Sequence, residues 1–462
     1  MARRSAVPKV PNVRIDLIRV IELLRTHITP ALCQAAFGRV RDTERQRKWT
    51  LDALVQFWIA VTLRAPRALS QALAEALDGR EPLVPRIEAT PEAFFQRCRD
   101  LRPVFFAEVF ARFTARLVAA VPPRYAAPVA PVRTRFADIL LLDGSRLAAI
   151  AHRLKLLWDN RAVILPACLL GVYDLGRGLC RGLYFSADAA ASEMTRAKAA
   201  LADFARDTLV VGDRLYCTAD FFAALQAHQC WGLVRRNRRL GLRKLERLRK
   251  ARHDGGLLED WLVHAGSGAT APVQTLRYIR WRRGGTRYEL LTNVLAPMRL
   301  SAVEALALYP YRWRIERMYF DLKEVLNLRR IYTGNPNAVA MQVYAAGMVY
   351  NAMRVAQSEA AAAGGIAPEE ISPAKFFPRV AAACHLYLQA EVWERRFTRG
   401  RRGTHLRVLP RRRPHPWTSV PLPLICREPR TGVRRKRRFC PARRQWKSLA
   451  HVRGGRKLIK LS

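Results

Sequence analysis

The sequence lacks several features that define other classes of protein. No apolar run reaches the roughly 18 residues of a membrane span, and no apolar segment follows the basic N-terminus MARRSAVPKVPNV, which argues against a secretory signal. None of the nine cysteines forms a Cys-x-x-Cys pair, and their odd number argues against a disulfide framework. We therefore expect a cytoplasmic protein with reduced thiols, no zinc site and no membrane partner.

Acidic residues are also scarce, with 37 Asp+Glu against 81 Lys+Arg and a formal net charge of +44. A charge this large concentrates polyanions at the surface, so nucleic acid is the expected partner. Half of the residues are hydrophobic and 9% are aromatic, which indicates a folded chain rather than a disordered basic one. On charge alone, a ribosomal or chromatin-like protein and an anionic-membrane binder remain open.

Residues 1–121 predict an all-α N-terminal domain that could bind DNA. The segment that begins RIDLIRVIELLRTH at Arg14 repeats apolar residues at helical spacing. Thr90 and Pro91 provide an N-cap and a first helical residue for a later helix. Pro103 is expected to kink that helix or to split it in two. The Pro- and Ala-rich residues after this domain predict a linker over 122–134.

The pattern then changes to short apolar runs bounded by turn residues, which predict buried strands at 139–145, 162–174, 208–213 and 231–237. Amphipathic patterns predict helices at 188–206 and 218–228. Strands that alternate with helices indicate an α/β core, whose first part we place at 135–237.

The rest of the chain divides into three segments. Residues 238–300 open with a basic stretch and close with strand-like segments, which predicts a β-rich insertion into the core. Residues 301–394 begin with the capping box Ser301-x-x-Glu304 and predict the second, helical part of the core. The tail 395–462 holds 23 Lys+Arg and one acid, a composition that suits contact with a phosphate backbone.

Two aspartates close predicted strands, and their position points to chemistry. Asp143 ends the run ILLLD and Asp213 ends LVVGD. Active sites of α/β sheets gather at strand ends, so two such strands could place the two carboxylates side by side. In a basic protein such a pair suits a cation with oxygen ligands, such as Mg²⁺. Taken singly, each aspartate is better explained as an ordinary turn or helix-cap residue.

A third carboxylate lies on a predicted helix among groups that suit phosphate. At 3.6 residues per turn, Tyr309, Arg312, Glu316 and Lys323 fall within about 60° of arc on one face, beside an apolar stripe. A carboxylate beside an arginine, a lysine and a tyrosine suits a metal ligand next to phosphate-binding groups. The alternative is an exposed Arg312–Glu316 pair with no chemical role.

The spacing Tyr309-x2-Arg312-x3-Glu316-x6-Lys323 resembles the Tyr-Arg-Glu-Lys signature of bacterial insertion-sequence DDE transposases. Asp143 in LLLDGS is similar to the first aspartate of that family's triad, and Asp213 in LVVGDRLY to the second. The resemblance covers about residues 135–355. The chain departs from the family at Leu215, where many members have glycine, and at Pro310, which is expected to bend the helix after Tyr309.

The resemblance implies an α/β RNase H-like catalytic core with a β-rich insertion, in which Asp143, Asp213 and Glu316 would hold two Mg²⁺ or Mn²⁺ ions. It implies cleavage of transposon ends to a 3′-OH, often a hairpin intermediate, and joining to target DNA. Arg312 and Lys323 would hold terminal phosphates, and Tyr309 would contact the backbone. The partners would be the terminal inverted repeats and target DNA, bound by a homodimer near the nucleoid.

Two further features carry weaker predictions. The basic run from Arg235 and Arg236 to Arg239 resembles a segment of the family and suggests backbone binding, although a solvated loop fits as well. Trp281 could stack on an unpaired base or belong to the core. Three functions stay open: an active transposase, a catalytically silent transposase-derived DNA-binding protein and, with no recognisable motif, an RNA-binding protein.

Overall fold

The computed structural model describes residues 14–40, 47–124, 129–147, 168–188, 191–266, 272–400 and 419–427. The basic N-terminus, the first part of the predicted strand 162–174 and most of the basic tail lie outside these ranges. All of the predicted site residues, from Asp143 to Lys323, lie within them.

The N-terminal part begins with a short strand and continues as helices. Strand β1 (Arg14–Asp16) pairs antiparallel with β11 (Ser419–Pro421), so the predicted helix starts later than its apolar pattern suggested. The described helices are α1 (Arg19–His27), α2 (Pro30–Phe37), α3 (Leu51–Arg64), α4 (Leu69–Leu77), α5 (Pro91–Asp100) and α6 (Pro103–Ala120).

Proline and threonine set the ends of these helices. The Thr90 hydroxyl accepts a hydrogen bond from the Ala93 N–H, and Pro91 occupies the first turn of α5. Pro103 begins α6 rather than kinking a longer helix, because its missing N–H costs nothing in a first turn. The predicted cap and the predicted split are both confirmed.

The centre of the molecule is a mixed sheet that contains nine strands over the described ranges, in the spatial order β4-β3-β2-β5-β6-β10-β9-β8-β7. The strands are β2 (Ile139–Arg146), β3 (Cys168–Asp174), β4 (Leu179–Ser186), β5 (Leu209–Gly212), β6 (Trp231–Arg235), β7 (Leu242–His253), β8 (Gly256–Ala265), β9 (Gln274–Arg283) and β10 (Thr286–Thr292). With the helices, this sheet makes the fold mixed α/β, as predicted.

Two apolar cores cover the two faces of the sheet. Along β2, Ile139 and Leu141 belong to one core, whereas Leu140 and Leu142 belong to the other, as the twofold alternation of a strand requires. The second core is closed by helices α7 (Glu193–Ala200) and α8 (Ala219–Ala227). We call the face of α7 and α8 the α7/α8 face.

The opposite face is covered by helices from the second part of the core. These are α9 (Ala302–Leu308), α10 (Trp313–Phe320), α11 (Pro336–Ala363) and α12 (Pro373–Gly400). Helix α11 is buried along most of its length and packs on α3, α6 and β4. Its surroundings explain its sequence, because a helix apolar on all sides must be enclosed. We call this side the α10 face.

Pro310 interrupts the helix that carries the predicted signature. Residues Tyr309–Arg312 form a 3₁₀ turn between α9 and α10, as expected from the ring of a proline inside a helix. The capping box is present, since the Ser301 hydroxyl accepts from the Glu304 N–H and Glu304 accepts from the Ser301 N–H. A π-helical turn, Asp321–Val325, continues α10.

The insertion contains more strand than its sequence predicts. The described residues of 238–300 form four strands, and the basic stretch that opens the segment is the twelve-residue edge strand β7. Strand β4 was not predicted either. Both were missed because neither shows a clear alternation of apolar and polar residues.

No described helix is apolar over a length that would cross a bilayer. Eight of the cysteines lie in the described part of the chain, and all eight are buried free thiols.

Candidate active site

The sheet brings Asp143 and Asp213 together toward the carboxyl ends of the adjacent strands β2 and β5, a place that we call the acidic edge. Strands β2 and β5 run parallel, with Leu141 opposite Val211. Asp143 lies two residues further along β2, and Asp213 lies two residues after Val211, just past the end of β5. Both are therefore at the same level and both belong to the α10 face. Short bonds fix the two carboxylates: Asp143 accepts from the Gly144 N–H (3.0 Å) and Asp213 from the Leu215 N–H (2.6 Å).

The Asp143 carboxyl lies in a crowded acidic environment. Burial is the main reason that its pKa rises to about 7. The Arg312 guanidinium opposes this rise, whereas the nearby carboxylates of Asp213, Glu193 and Glu316 add to it. The unfavourable charge at this point is therefore shared by four acids and is only partly compensated by one arginine.

Arg312 connects two of the predicted site residues. Its Nη2 lies 2.6 Å from Glu316 Oε1, and its Nη1 lies 3.6 Å from Asp143 Oδ2. The Arg312 side chain is only 11% exposed, so these ion pairs are shielded from water. The Arg312–Glu316 pair of the alternative interpretation does form, with the Glu316 side chain 35% exposed, but its guanidinium is largely buried and also contacts Asp143.

A tyrosine fixes helix α10 against the strand that bears Asp143. The Tyr319 hydroxyl donates to the Asp143 carbonyl oxygen (2.8 Å). The Tyr319 side chain passes over β3 at Gly171, the residue that pairs with Asp143. A Cβ added to Gly171 would come within 2.6 Å of the Tyr319 hydroxyl. Gly171 thus leaves the space that lets the helix approach the strand.

Lys323, in the π-helical turn that continues α10, contacts the end of β2 beyond Asp143. Its Nζ donates to Ser145 Oγ (2.6 Å) and to the Arg146 carbonyl oxygen (2.8 Å). Burial lowers the pKa of the lysine, as desolvation disfavours its charged form. The lysine therefore lies two to three residues beyond Asp143 along β2.

Tyr309 and Arg235 meet through another tyrosine. The Tyr309 ring packs edge-on against Tyr288 at 5.7 Å, and the Arg235 guanidinium lies 5.4 Å from the centroid of that same ring. Tyr309 is buried, and this burial raises the pKa of its hydroxyl. Tyr309 is close enough to Asp213 and Arg312 for both to influence its ionisation.

Arg236 points to the other side of the sheet, because it follows Arg235 in an extended segment. It lines a cavity of about 430 Å³ in which cationic side chains dominate. The cavity is lined by Arg214, Arg235, Arg236, Asn237, Arg238, Arg239, Arg287 and Glu289. It begins one residue after Asp213, so the predicted basic run does adjoin the acidic edge.

Glu193 is a site residue that the sequence did not reveal. It accepts a hydrogen bond from the Tyr216 hydroxyl (2.6 Å) at the start of α7. Its carboxylate fills the position where a Gly144 side chain would be, within about 2 Å of an ideal Cβ. The only signal available was Gly144 itself, since a glycine in a buried strand often marks a close approach.

The set of oxygen donors is of the kind that binds Mg²⁺ or Mn²⁺. Within the described ranges, however, no group of three or more potential ligands is arranged around one common position. Burial, which is the main cause of the raised pKa of Asp143, and the neighbouring carboxylates both disfavour its charged form, and a divalent cation would stabilise that form. The donor chemistry fits the expected metal, and Arg312 meanwhile supplies part of the compensating charge.

Trp281 does not belong to this site. Its indole N–H donates to the His253 carbonyl oxygen (2.9 Å), and its ring lies against Gly256 at the β7–β8 turn. Of the two interpretations of this residue, core packing is supported.

Residues 169–352 match the family described as transposase DDE domain. The matched range contains Asp213, Glu316 and the other residues of the predicted signature, whereas Asp143 lies before it. The resemblance to insertion-sequence DDE transposases is therefore confirmed, while the four-residue signature stays a prediction.

One curated relative carries the name "Putative transposase y4zB" and comes from Sinorhizobium fredii (strain NBRC 101917 / NGR234). It is 30% identical over 149 residues, which cover 31% of this chain and 41% of the relative. The match thus spans less than half of either protein.

Among solved structures, one similar chain comes from the cryo-EM structure of a piggyBac transposase synaptic complex with hairpin DNA. The superposition covers 85% of this chain and 87% of that one, at 10% identity and a TM-score of 0.39. A score this low supports no argument about function.

Proposed function

We propose that the chain is a DDE transposase that cleaves transposon ends and joins them to target DNA. The observation that carries the proposal is the shared position of Asp143 and Asp213 on adjacent parallel strands, facing Glu316 across the Arg312 guanidinium. In this proposal β2 to β6 with α7 and α8 form an RNase H-like core, and 238–300 is an insertion into it.

Asp143, Asp213 and Glu316 would together hold two Mg²⁺ or Mn²⁺ ions. When bound, such a pair supplies charge stabilisation to the attacking and leaving oxygens of an in-line phosphoryl transfer. The acidic cluster is a poor environment for DNA in the absence of cations, so binding of metal and of DNA should support each other.

The cationic residues would place the phosphate rather than take part in covalent chemistry. Arg312 lies at the acidic edge with a planar guanidinium that suits two phosphate oxygens. Lys323 supplies a point charge from the same face of β2, next to Ser145. Tyr309 contributes a backbone contact, and Arg235 extends the positive surface toward the basic cavity. A homodimer is proposed for the DNA complex.

The test is metal-dependent nicking of a supercoiled plasmid that carries the element's own ends. Alanine at Asp143, Asp213 or Glu316 should each lower the nicking rate at least about 10³-fold, since the loss removes a metal ligand. Asp220→Asn is the matched control, because its exposed carboxylate pairs with Lys198 on the α7/α8 face, and it should cut normally. Equal cutting by the wild-type protein in excess EDTA would refute the metal mechanism.

A second candidate is a catalytically silent transposase-derived DNA-binding protein. It is favoured by one observation: Arg312 occupies the space between Asp143 and Glu316 with its own positive charge. Under this alternative the three alanine variants would keep full biological activity, whereas removal of charges from the tail 395–462 would abolish it.

A further inference from the structure

The edge strand β7 carries its charges unevenly on its two sides. Residues that pair directly across an antiparallel ladder point to the same face of the sheet. By register, Lys244, Arg247, Lys250 and Arg252 share the face of Val263, Trp261, Glu259 and Leu257 on β8. The other side of β7 carries Arg243, Arg249 and the acid Glu246. One side therefore has four cations and no acid, and the other has two cations and one acid.

Packing contacts confirm this assignment. The ammonium of Lys244 lies 4.0 Å from the centroid of the Trp261 ring, and the Arg247 guanidinium lies 5.5 Å from it. Trp261 belongs to the apolar core closed by α8, so the cationic side of β7 is on the α7/α8 face. The stacked cations are held in place while their charge stays at the surface.

The same face continues across the insertion to the cavity beside Asp213. Register places Arg280 and Arg282 of β9, and then Arg287 of β10, in line with this side of β7. Arg236 comes next, because it contacts Glu289 of β10 (3.2 Å) and the Tyr278 ring. We call these four arginines, together with the four cations of β7, the basic face.

The two acids on this face do not cancel its charge. Glu259 lies between Arg280 (2.5 Å) and Arg282 (3.5 Å), and Glu289 lies between Arg287 (2.7 Å) and Arg236 (3.2 Å). Each acid thus holds two arginines in position, which leaves a net charge of about +6 from eight cations and two acids. The acids organise the guanidinium groups and leave the surface strongly positive.

We propose that the basic face binds double-stranded DNA outside the candidate active site, through the phosphates of one strand. The inference rests on the proposed function in that DNA is the substrate. From β6 to β7 the face crosses four strand spacings, or about 19 Å. This length of DNA helix axis carries roughly five phosphates of one strand, at about 3.4 Å of axial rise each. The basic cavity would be the point where this DNA leaves the acidic edge.

The experiment compares two double variants of β7 that remove the same charge from opposite sides. Lys250→Gln with Arg252→Gln changes the basic face, and Arg243→Gln with Arg249→Gln is the matched control. Binding of a 40-base-pair duplex of arbitrary sequence is measured by fluorescence anisotropy over a series of salt concentrations. Unchanged thermal unfolding of both variants shows that they fold.

Each lost phosphate contact should lower the salt slope of log K by about 0.9. We expect the basic-face variant to lose about 1.8 from the slope and the control to keep the wild-type slope. Equal losses in both variants would show a general field effect and would overturn the proposal. No loss in either, or a larger loss for a 40-nucleotide single strand or an RNA duplex than for double-stranded DNA, would also overturn it.

A third variant separates this proposal from the catalytic one. Asp143→Ala should keep the wild-type salt slope while it loses metal-dependent nicking. If its nicking is lost but the basic-face variant binds normally, only the DNA-binding face is refuted. If the basic-face slope falls but Asp143→Ala still cuts, only the proposed chemistry is refuted.

Discussion

The two halves of the nine-stranded sheet reach the same secondary structure from opposite sequence patterns. In the core half, β3 is buried along its whole length, and β2 is buried through its first four residues. In the insertion half, β7 is exposed along most of its twelve residues and consists largely of Lys and Arg. The core strands form because burial favours them, whereas β7 is a strand because ten of its residues pair with β8.

This difference explains which parts could be predicted. Three apolar runs, at 139–145, 208–213 and 231–237, proved to be strands of the core. Asp213 follows directly after β5, as predicted, whereas Asp143 lies within β2, which continues to Arg146 because it still pairs with β3 there. Strand β7 could not be predicted, because hydrophobic alternation is the signal for a strand and an edge strand with two exposed sides does not show it.

The candidate site divides in the same way. Glu316 on α10 and Arg312 in the adjoining 3₁₀ turn are four residues apart, and their pairing could be predicted from spacing alone. Glu193 could not, because its approach to Gly144 depends on how α7 packs on the sheet. A contact between elements that are distant in the sequence can be predicted only when their packing is known, and the local pattern does not contain that information.

The largest expected effect lies in the insertion half, at a buried ion pair. Arg277 is fully buried, pairs with Asp260 and donates to the carbonyl oxygens of Val294 (3.1 Å) and Leu300 (2.7 Å). Arg277→Met should lower the free energy of unfolding by about 3–5 kcal/mol, since Asp260 loses its partner while it stays buried. Denaturant unfolding measures this loss.

The control for that prediction is Arg283→Gln at the exposed end of the same strand. Arg283 pairs with Asp254 at 3.8 Å, and both side chains are more than half exposed. Its loss should cost under about 1 kcal/mol. Equal effects for the two arginines would mean that the insertion is held by surface charge rather than by its interior.

A second effect, on activity, is expected in the core half. Gly171→Ala places a Cβ within 2.6 Å of the Tyr319 hydroxyl and should displace α10 from the Asp143 strand. A shift of about 1 Å can cost roughly 10²-fold in rate, so nicking should fall by about that factor. Gly285→Ala, where an added Cβ meets nothing within 4 Å, should have no effect.

Tyr319→Phe in the Gly171→Ala background provides a sharper test. Removing the hydroxyl removes the nearest clashing atom, so the double variant should recover part of the rate that Gly171→Ala loses. A double variant slower than Gly171→Ala would show that the hydrogen bond to Asp143 matters more than the space.

A third effect is a pH dependence of stability in the core half. The pKa of Asp143 rises to about 7 in the folded chain from an ordinary value near 4, so its contribution to stability is lost as pH rises through that range. In metal-free buffer, Asp143→Asn should match the wild type near pH 4 and be more stable at pH 8, because only the wild type then buries a charged carboxyl at this position. Thermal unfolding at the two pH values measures the gap.

Added Mn²⁺ should narrow that gap at pH 8, because it stabilises only the chain that keeps the carboxylate. Asp220→Asn is again the control and should respond to pH and Mn²⁺ like the wild type. A gap that is the same at both pH values would show that Asp143 does not titrate in this range.

The contact of one guanidinium with both Asp143 and Glu316 has a mechanical consequence. Arg312 cannot turn toward an incoming phosphate without loosening its hold on both carboxylates in the same movement. An anion that binds this arginine would therefore release the carboxylates of Asp143 and Glu316 in the same step. The short segment Tyr309–Arg312, which Pro310 keeps out of the regular helix, is where such a rotation would begin.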